Sequence, residues 1–478
     1  MQVNFDAIVV GSGPGGGITA NYLAKSGLSV LVLEAGMNVE HDITKEYTSE
    51  EMLQKYKYGG LTTTIGTANI NYVEGSCVGG GSEINSGLYH RTPKSVLDYW
   101  RDHLNFSSSK DEMSKLFSEI EKYLSISLMP KDHMPEASLK LKIGSSHLGV
   151  DCVEVPRWYQ ENNGIIEKTT ISKSYLRDAI DCGAILKSNS KAVKIFKDKS
   201  NWVVESLSTS SFSSAKEHNQ KLNMKTSIFK AKYLFICGGV MSSCELLRKS
   251  KINKKSGSQV YLHPTAKIVS MFENELFQSS VGVPVHQVKQ WSPKVSLGSS
   301  IGKKPHLGLS LLSNLEAFEN LSDSYDKMAI YYASISGGVG KIQRFPHNQF
   351  LLNYKLSNED YHYLRFGLLR LSQILFAAGA KKNFLVSNDG FSYKTYEQLE
   401  LFLNNRSLRN LDLMTIHLMG GNSFNIDGIC NEFGEVKGYK NLYIQDASLL
   451  PTSLGVNPQG TIMALVVRNM EKFTNEAI

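Results

Sequence analysis

Glycine occurs at positions 11, 13 and 16, directly after an apolar segment near the N-terminus. With this spacing, Gly11 permits a tight turn, Gly13 lets the backbone approach a ligand closely, and Gly16 lets a helix pack on a strand. An acidic residue, Glu34, follows 23 positions after Gly11, and its carboxylate can accept hydrogen bonds from a ribose diol. Together these residues predict a dinucleotide site with the pyrophosphate at a helix N-terminus.

The elements around these residues have the order that such a site requires. Residues 5–10 are apolar and rich in β-branched side chains, "GGITANYLAKSG" has a helical pattern, and "LSVLVLEAG" is a second strand ending at Glu34. This strand–turn–helix–strand order separates a real fingerprint from a chance match. The acidic residue disfavours the 2′-phosphate of NADP, so FAD and NAD remain as ligands.

Two further glycine clusters follow. Gly79, Gly80 and Gly81 lie in "EGSCVGGGSEINSGLYHRTP", where no hydrophobic periodicity explains them. A backbone that approaches a flat ligand is one explanation, and a mobile surface loop is the alternative. The segment "KAKYLFICGGVMSSCELLRKS" then repeats the strand–glycine–helix order with Gly238 and Gly239 at the turn. The strands of one nucleotide-binding domain are therefore predicted to be interrupted by inserted segments.

The C-terminal part holds another strand and helix. "NLYIQDA" predicts a strand that ends at Asp446, and "NPQGTIMALVVRN" predicts a helix from Pro458 with Asn457 as its cap. The apolar face of that helix consists of Ile462, Leu465, Val466 and Met470.

Residues 269–405 have a different character. The alternating segments "MAIYYASIS" and "QFLLNYKLS" precede the long helical pattern "DYHYLRFGLLRLSQILFAAGA", which predicts a second domain with an antiparallel sheet. Residues 206–226 are rich in serine and lysine and predict a long, mobile hairpin connection.

The bulk properties exclude several classes of protein. A length of 478 residues exceeds one ordinary core, so two domains or one elaborated domain is expected. A net charge of +7 is mild and gives no indication of nucleic-acid binding, and no apolar run is long enough for a transmembrane segment. The six cysteines form no CxxC pair and no zinc spacing, so reduced thiols and no metal site are expected. The N-terminus enters a strand without a cleavable signal, which predicts a cytoplasmic protein.

One basic cluster stands out in residues 248–255. Its members are Arg248, Lys249, Lys251, Lys254 and Lys255. A solvated loop after a helix is the favoured interpretation. A docking patch for an anionic membrane or an acidic redox partner is the alternative.

The motifs, in their order along the chain, resemble those of the glucose–methanol–choline (GMC) oxidoreductases, which are FAD-dependent alcohol oxidases and dehydrogenases. The resemblance rests on "VVGSGPGG" with "VLVLEAG", "VGGGSEINSG", "FICGGVMSSCELL", and "HLMGG" with "NLYIQDASLLPTSLGVNPQGTIMAL". It is strong over the FAD-binding parts and weak between them. It implies an α/β fold in which a Rossmann-like FAD-binding domain (residues 1–95, 175–265 and 405–478) is interleaved with an α+β substrate-binding cap domain built on an antiparallel sheet (residues 96–174 and 266–404).

The resemblance also implies the cofactor contacts. Glu34 and the first glycine turn hold the ADP half of FAD, the backbone of Val193 reads adenine, and the helix at Pro458 points its positive end at the flavin pyrimidine ring. The implied contacts are Gly11, Ser12, Gly13, Pro14, Gly15, Gly16, Glu34, Ala35, Gly79, Gly80, Gly81, Ser82, Asn85, Val193, Gly238, Asp446, Ala447, Asn457, Pro458 and Thr461. Members with covalent FAD carry a histidine where this chain has Ile84, so non-covalent FAD is expected.

The implied reaction is oxidation of a CH–OH group to a carbonyl by hydride transfer to flavin N5. His417 matches the active-site histidine and is the expected base, and Asn457 matches the residue that orients the alcohol oxygen. His90 and Arg91 follow the flavin loop; a surface role is the favoured expectation for both, and a position in the cavity is the alternative. For His263 we expect a structural role.

Other functions remain open. They are a GMC-type flavin lyase or decarboxylase, and a non-catalytic flavin-binding partner protein; an NAD-dependent dehydrogenase is disfavoured because Asp446 and Asn457 have no task around nicotinamide. The resemblance implies a small-molecule alcohol substrate. No motif identifies the alcohol, the oligomeric state or the electron acceptor, which could be oxygen, a quinone or a redox protein.

Overall fold

A computed structural model describes residues 3–39, 48–162, 165–208, 225–276, 284–319 and 321–477. The strands in its first half are β1 (Val3–Val10), β2 (Val30–Leu33), β3 (Ile65–Gly66), β4 (Ile70–Tyr72), β5 (Ile126–Ser127), β6 (Cys152–Glu154), β7 (Arg157–Asn162), β8 (Ile165–Lys168), β9 (Ile185–Lys187), β10 (Ser190–Asp198), β11 (Asn201–Ser208) and β12 (Thr226–Ile236). Those in its second half are β13 (Val260–Leu262), β14 (Thr265–Met271), β15 (His286–Val288), β16 (Val295–Ser299), β17 (Met328–Ile335), β18 (Val339–Arg344), β19 (Phe350–Lys355), β20 (Lys382–Leu385), β21 (Ser392–Tyr393), β22 (Leu413–Thr415), β23 (Leu418–Gly420) and β24 (Leu442–Ile444).

The α-helices lie between these strands. They are α1 (Pro14–Lys25), α2 (Ser49–Lys55), α3 (Gly81–Ile84), α4 (Lys94–Leu104), α5 (Lys110–Tyr123), α6 (Glu136–His147), α7 (Tyr175–Asp181), α8 (Gly239–Lys249), α9 (Lys304–Leu311), α10 (Leu315–Glu319), α11 (Leu321–Ser324), α12 (Asn358–Ala377), α13 (Tyr396–Asn405) and α14 (Gln459–Ala477). Among the described residues, no helix is both long and apolar enough to cross a membrane.

The first sheet has β1 at its centre. Strand β1 pairs in parallel with β2 on one side and with β12 on the other, and β24 extends the sheet in parallel beyond β12. Ala7, Ile8 and Val9 are fully buried because both faces of β1 are covered, which is typical of parallel sheets with helices on each side. The predicted strand–turn–helix–strand unit is confirmed as β1, α1 and β2.

The second large sheet is mainly antiparallel. Strand β14 pairs antiparallel with both β17 and β20, and β17 continues to β16 and β15. The 20-residue helix α12 packs on this sheet, where the missing side chain of Gly367 permits close contact with Ala333. The expected antiparallel sheet and long helix are confirmed, as is the mixed α/β fold.

Two large hydrophobic cores underlie these sheets. One surrounds the first sheet and includes buried side chains of α4 and α5, such as Trp100 and Phe117. The other lies between the antiparallel sheet and α12, and side chains of α8 contribute to it. The domain boundaries stay a prediction. The hairpin expected over residues 206–226 connects antiparallel β11 and β12, but residues 209–224 of it lie outside the described residues.

Candidate active site

The first glycine turn is fixed by contacts that exclude larger side chains. Gly11 has a φ of 102°, its N–H donates to the carbonyl of Leu33 at 2.7 Å, and a Cβ there would lie 2.3 Å from the carbonyl oxygen of Cys237. A Cβ on Gly16 would lie 1.9 Å from the carbonyl oxygen of Gly11. Helix α1 therefore starts directly against the turn that ends β1.

The N-terminus of α1 meets two other chain segments. A Cβ on Gly15 would lie 1.7 Å from the carbonyl oxygen of Gln445, which brings Asp446 beside the helix start. Gly80, with a φ of 55°, faces Gly13, since its Cβ would lie 2.9 Å from the Gly13 Cα. Residues 11–16, 79–82, Glu34 and Asp446 are called the dinucleotide cradle below.

The cradle fits the pyrophosphate of a dinucleotide. No side chain caps α1, and Pro14 at its first turn has no N–H, so the N–H groups of Gly15 and Gly16 are available to an anion. A Cβ on Gly13 would find only the Gly80 Cα, 3.8 Å away, which leaves open space beside the backbone. A negatively charged ligand at this helix end is favoured by the helix dipole.

Glu34 is the acidic residue of the cradle. Its Oε2 accepts hydrogen bonds from the N–H of Ser12 at 3.0 Å and from the Ser12 hydroxyl at 2.7 Å, and its Oε1 accepts from the N–H of Gly36 at 2.8 Å. The Ser12 hydroxyl also accepts from the N–H of Gly79 at 3.1 Å, which joins the two glycine loops. Burial raises the pKa of Glu34 while these hydrogen bonds lower it. Ala35 follows directly in the chain.

Val193 lies on β10, the strand whose first residue contacts the backbone of Glu34. The N–H of Ser190, at the start of β10, donates to the main-chain carbonyl of Glu34 at 2.7 Å. The β10–β11 pairing shifts register between Ala192 and Lys194, so Val193 is the bulged residue and has no partner in the register of this ladder.

Asp446 closes the cradle from the C-terminal part of the chain. This buried carboxylate accepts hydrogen bonds from the N–H of Gly239 at 2.9 Å, the Ser243 hydroxyl at 2.5 Å and the N–H of Ser448 at 2.8 Å. Burial raises its pKa, against these hydrogen bonds. Gly238, whose N–H donates to the Ser243 hydroxyl at 3.1 Å, lies in the same network, and Ala447 follows Asp446.

The second glycine loop reaches the start of α14. Asn85, after α3, donates from its amide to the Gln459 Oε1 at 2.5 Å, and Ser82 is buried at the start of α3. Thr461 in the first turn of α14 shares a 2.8 Å hydrogen bond with Thr92. The loop and the helix N-terminus are thus held together.

The start of α14 corrects one prediction. The helix begins at Gln459, and the N–H of Ile462 donates to the carbonyl of Pro458 at 2.9 Å, so Pro458 rather than Asn457 occupies the cap position. Within the described residues, the half-buried side chain of Asn457 has no hydrogen-bond partner. Its amide is available to a ligand.

His417 forms a pair with His263. Strands β13 and β23 pair antiparallel with Leu262 opposite Leu418, so the next residues along the ladder, His263 and His417, also face each other. Their Nδ1 atoms are 2.9 Å apart. His263 therefore has more than the expected structural role, because its ring is hydrogen-bonded to the ring of the predicted base, His417.

The hydrogen-bond partners of His263 determine which ring nitrogens of the two histidines carry hydrogen. The N–H of Gly455 donates to the His263 Nε2 at 3.2 Å, so neutral His263 carries its hydrogen on Nδ1 and donates it to the Nδ1 of His417. The Ser453 hydroxyl lies 3.0 Å from the same Nε2 and can either donate or accept. In the other tautomer, the His263 Nε2 carries the hydrogen and donates it to Ser453, so the Gly455 N–H gives up this acceptor. The His417 Nδ1 then donates to the His263 Nδ1, and the Nε2 of His417 becomes a free acceptor.

His90 is not a surface residue. Both of its ring nitrogens are buried and lack hydrogen-bond partners, and a Cβ on Gly460 would lie 2.2 Å from its carbonyl oxygen, so α14 packs directly on it. The expectation of a surface role is wrong for His90. It holds for Arg91, which is exposed and pairs with Glu121 at 2.6 Å. His90, His263 and His417 are called the histidine cluster below.

All three histidines are held neutral. Burial, together with the nearby charge of Lys289, lowers the pKa of His417 to about 3. Burial lowers the pKa values of His263 and His90 well below the ordinary value, and the charges of His417 and Lys289 contribute to both shifts. The cluster therefore contains neutral rings that can exchange protons with a bound polar group.

Sequence reasoning missed two residues beside the cluster. Gln287 and Lys289 follow the alternation of β15, which places both on one face, and Gln287 lies beside His90. No local sequence pattern indicates a functional role for either residue, because a short strand followed by a lysine is common in many sheets. Within the described residues, no group of three or more acidic, cysteine or histidine side chains could hold a metal ion.

Two family models, both described as GMC oxidoreductase, match the chain over residues 52–265 and 344–465. An uncharacterized GMC-type oxidoreductase of Sinorhizobium fredii is 30% identical over 98% of this chain and 95% of that protein. A long-chain-alcohol oxidase of Arabidopsis thaliana is 26% identical over 97% of this chain and 66% of that protein.

Two solved structures share the fold. Pyridoxine 4-oxidase from Mesorbium loti matches with a TM-score of 0.74 and 13% identity, covering 99% of this chain and 100% of that chain. An FAD-dependent oxidoreductase from Chaetomium thermophilum matches with a TM-score of 0.73 and 14% identity, covering 99% of each chain. With its N- and C-terminal parts both matched and a relative aligned over nearly its full length, the chain belongs to the GMC oxidoreductase family.

Proposed function

We propose that this oxidoreductase oxidises a CH–OH group of a small alcohol to a carbonyl with FAD as its cofactor. The observation that carries the proposal is the His263–His417 pair, which lies beside the N-terminus of α14 where the second glycine loop also ends. Relatives of the chain include long-chain-alcohol oxidases, which supports an alcohol as the substrate. When bound, FAD supplies the acceptor for the hydride of the carbinol carbon.

The cradle would hold the adenine and pyrophosphate part of the cofactor. Glu34 would accept from the ribose, the backbone of Val193 would contact adenine, and the N–H groups at the start of α1 would receive a phosphate. The second glycine loop would lie along the flavin half. Ile84 offers no nucleophilic nitrogen, so FAD would be non-covalent, and acid precipitation of the yellow protein should release the flavin into the supernatant. Flavin that stays in the pellet would contradict this.

His417 would take the hydroxyl proton. An alcohol releases hydride poorly while its oxygen keeps the proton, so a base must lie within hydrogen-bond reach. With Ser453 accepting from His263, the Nε2 of His417 has a free lone pair for that proton. Because the two Nδ1 atoms are 2.9 Å apart, a proton can pass from His417 to His263. The His263 Nε2 would then donate its hydrogen to the Ser453 hydroxyl, which is hydrogen-bonded to Ser336.

Asn457 and α14 would stabilise the oxygen as it loses its proton. The unpartnered amide of Asn457 can donate to the alkoxide-like oxygen but cannot accept its proton. The free N–H groups in the first turn of α14 favour negative charge nearby. The two groups therefore orient and stabilise, while the histidine pair moves the proton.

Anaerobic mixing of the purified holoenzyme with a panel of aliphatic, sterol, sugar and aminocyclitol alcohols tests the proposal. Bleaching of the flavin absorbance in the dark supports alcohol oxidation, and readmission of oxygen, a quinone or a redox protein then identifies the electron acceptor. Flavin that is unchanged by every alcohol, with product formed only without net oxidation or under light, would instead support the lyase or decarboxylase alternative. No turnover of any kind would favour a non-catalytic flavin-binding protein.

A further inference from the structure

Lys289 lies beside the histidine cluster without a carboxylate partner. It follows β15 directly, is half-buried, and donates from Nζ to the Ser296 hydroxyl on β16 at 3.1 Å. Among the described residues it forms no ion pair. An ammonium group has three donors, so most of the hydrogen-bonding capacity of Lys289 is open to a ligand.

The side chain of Lys289 faces the same space as the histidines. The hairpin that carries it packs on Gly455, whose N–H donates to His263, and the charge of Lys289 contributes to the lowered pKa values of His90, His263 and His417. Gln287, on the same face of β15, donates to the Tyr332 hydroxyl at 2.7 Å and keeps its buried Oε1 without a partner.

The unpartnered atoms point to a polar ligand. Gln287 is 2% exposed, and both ring nitrogens of His90 are buried, yet none of these atoms has a partner of its own. Buried polar groups are nearly always hydrogen-bonded, and the adjacent Gln287 and His90 side chains can satisfy one ring nitrogen between them, which leaves the other for a ligand or water. The charged side chain beside this set is a cation, Lys289, whose pKa burial lowers to about 8, and no carboxylate within the described ranges forms an ion pair with it.

The lysine is held in a fixed place relative to the proposed reaction. The turn between β15 and β16 packs against the loop before α14, where a Cβ on Gly455 would lie 2.6 Å from the Pro293 Cβ. Ser336, whose N–H donates to the carbonyl of Lys294 at 3.0 Å, has its hydroxyl 2.5 Å from that of Ser453. The hairpin that carries Lys289 is therefore connected to the residue that contacts His263.

We propose that Lys289 is the counter-ion for a carboxylate on the substrate, so that the alcohol oxidised here is a hydroxy acid. The proposal rests on the proposed function for the CH–OH chemistry, whereas the carboxylate subsite stands on the lysine and its surroundings alone. An uncompensated ammonium in a buried site is unfavourable, and a carboxylate supplies both charge and acceptors. A neutral alcohol would leave Lys289 without a charged partner.

Binding to the holoenzyme tests the subsite without turnover. Acetate, butyrate and octanoate, each with its matched amide, are titrated while the flavin absorbance is followed. We expect at least one carboxylate to perturb the spectrum saturably and to bind about tenfold or more tightly than its amide. The Lys289→Met variant should lose that preference, and Lys289→Arg should retain most of it. Lys294→Met is the matched control, because Lys294 is exposed on the same hairpin, and it should bind like the parent.

Two results would overturn the proposal. One is equal binding of carboxylates and amides by the unaltered enzyme, which needs no variant. The other is unchanged carboxylate binding in a Lys289→Met protein that keeps its FAD content. If that variant also has a shifted flavin midpoint potential, the lysine is assigned to the cofactor. If carboxylates bind as expected but no alcohol or hydroxy acid bleaches the flavin, only the proposed function fails.

Discussion

The dinucleotide cradle and the histidine cluster differ in how their polar groups are satisfied. In the cradle, the buried carboxylates of Glu34 and Asp446 accept hydrogen bonds from the protein's own backbone and hydroxyl groups. In the cluster, the ring nitrogens of His90 have no hydrogen-bond partner at bonding distance, and the same is true of the Oε1 of the neighbouring Gln287. Among the described residues, Lys289 donates only to a serine. The cradle is pre-organised without a ligand, whereas the cluster is completed by one. Substitutions in the first should alter cofactor retention, and those in the second should alter turnover.

The largest effect is expected at His417. His417→Ala should lower the rate of flavin reduction by about 10²- to 10⁴-fold, the usual range for a positioned general base, with little change in FAD content. Stopped-flow reduction with any alcohol that bleaches the parent measures it. Asn457→Ala should have a smaller effect, because an amide orients but cannot accept the proton. A His417→Ala enzyme that keeps its rate within about threefold would transfer the role to His90.

Substitutions at Gly13 and Gly15 should distinguish an effect on cofactor binding from an effect on the stability of the fold. Gly15→Ala places a Cβ 1.7 Å from a backbone oxygen, so the protein should unfold at a lower temperature with or without FAD. Gly13→Ala meets nothing closer than 3.8 Å, so the cofactor-free protein should keep its stability. Its affinity for FAD should nevertheless fall by about 10- to 100-fold, or about 1.4–2.8 kcal/mol. Thermal unfolding and FAD titration check both, and parental FAD affinity in Gly13→Ala would contradict close approach of the pyrophosphate.

Glu34 tests the ribose contact of the cradle. Glu34→Ala removes a charge-assisted acceptor and should weaken FAD binding by about 1.5–3 kcal/mol, measured by titration of the cofactor-free protein. Because Glu34 also accepts from Ser12 and Gly36, Glu34→Gln serves as the control of similar shape. Unchanged FAD affinity in both variants would count against the placement of the ADP half.

The smallest effect expected is one of pH. Burial and the charge of Lys289 hold the pKa of His417 at about 3, so its neutral, proton-accepting form persists as the pH falls and is lost only near that value. The rate of flavin reduction by an uncharged alcohol should stay level from about pH 8 to about pH 5, whereas a histidine at its ordinary pKa of about 6.5 would lose activity in this range. Stopped-flow rates across the range decide between the two, and a midpoint near 6.5 would be inconsistent with a buried, neutral ring.

The first glycine turn of the cradle and Glu34 could be predicted because their signals are local. The spacing of Gly11, Gly13 and Gly16, with Glu34 after a second strand, determines a turn and a helix end within one stretch of chain. The long helical pattern of α12 likewise predicted this helix from a single continuous segment. Even here the sequence misplaced the start of α14 by one residue, since a proline can occupy either the cap or the first turn.

The family resemblance identified His417, but the histidine cluster as a whole could not be predicted, because His263 meets His417 only through strand pairing. His263 and His417 are 154 residues apart, and only the register of β13 with β23 sets their rings side by side. Gln287 lies on a three-residue strand and Lys289 directly follows it, and this short segment has no sequence pattern that indicates chemistry. His90 follows a loop of small residues, which favours an exposed position until Gly460 of α14 covers it.

The pairing of β24 with β12 has a consequence for synthesis on the ribosome. Residues 442–444 complete a sheet whose central strand was made more than 400 residues earlier, and Asp446 and α14 follow immediately afterwards. Before this segment is synthesised, the nascent chain has both glycine loops but lacks Asp446 and α14, which complete the cofactor site. The cofactor site is therefore completed late in synthesis, and until then the edge of β12 at residues 234–236 lacks its β24 partner.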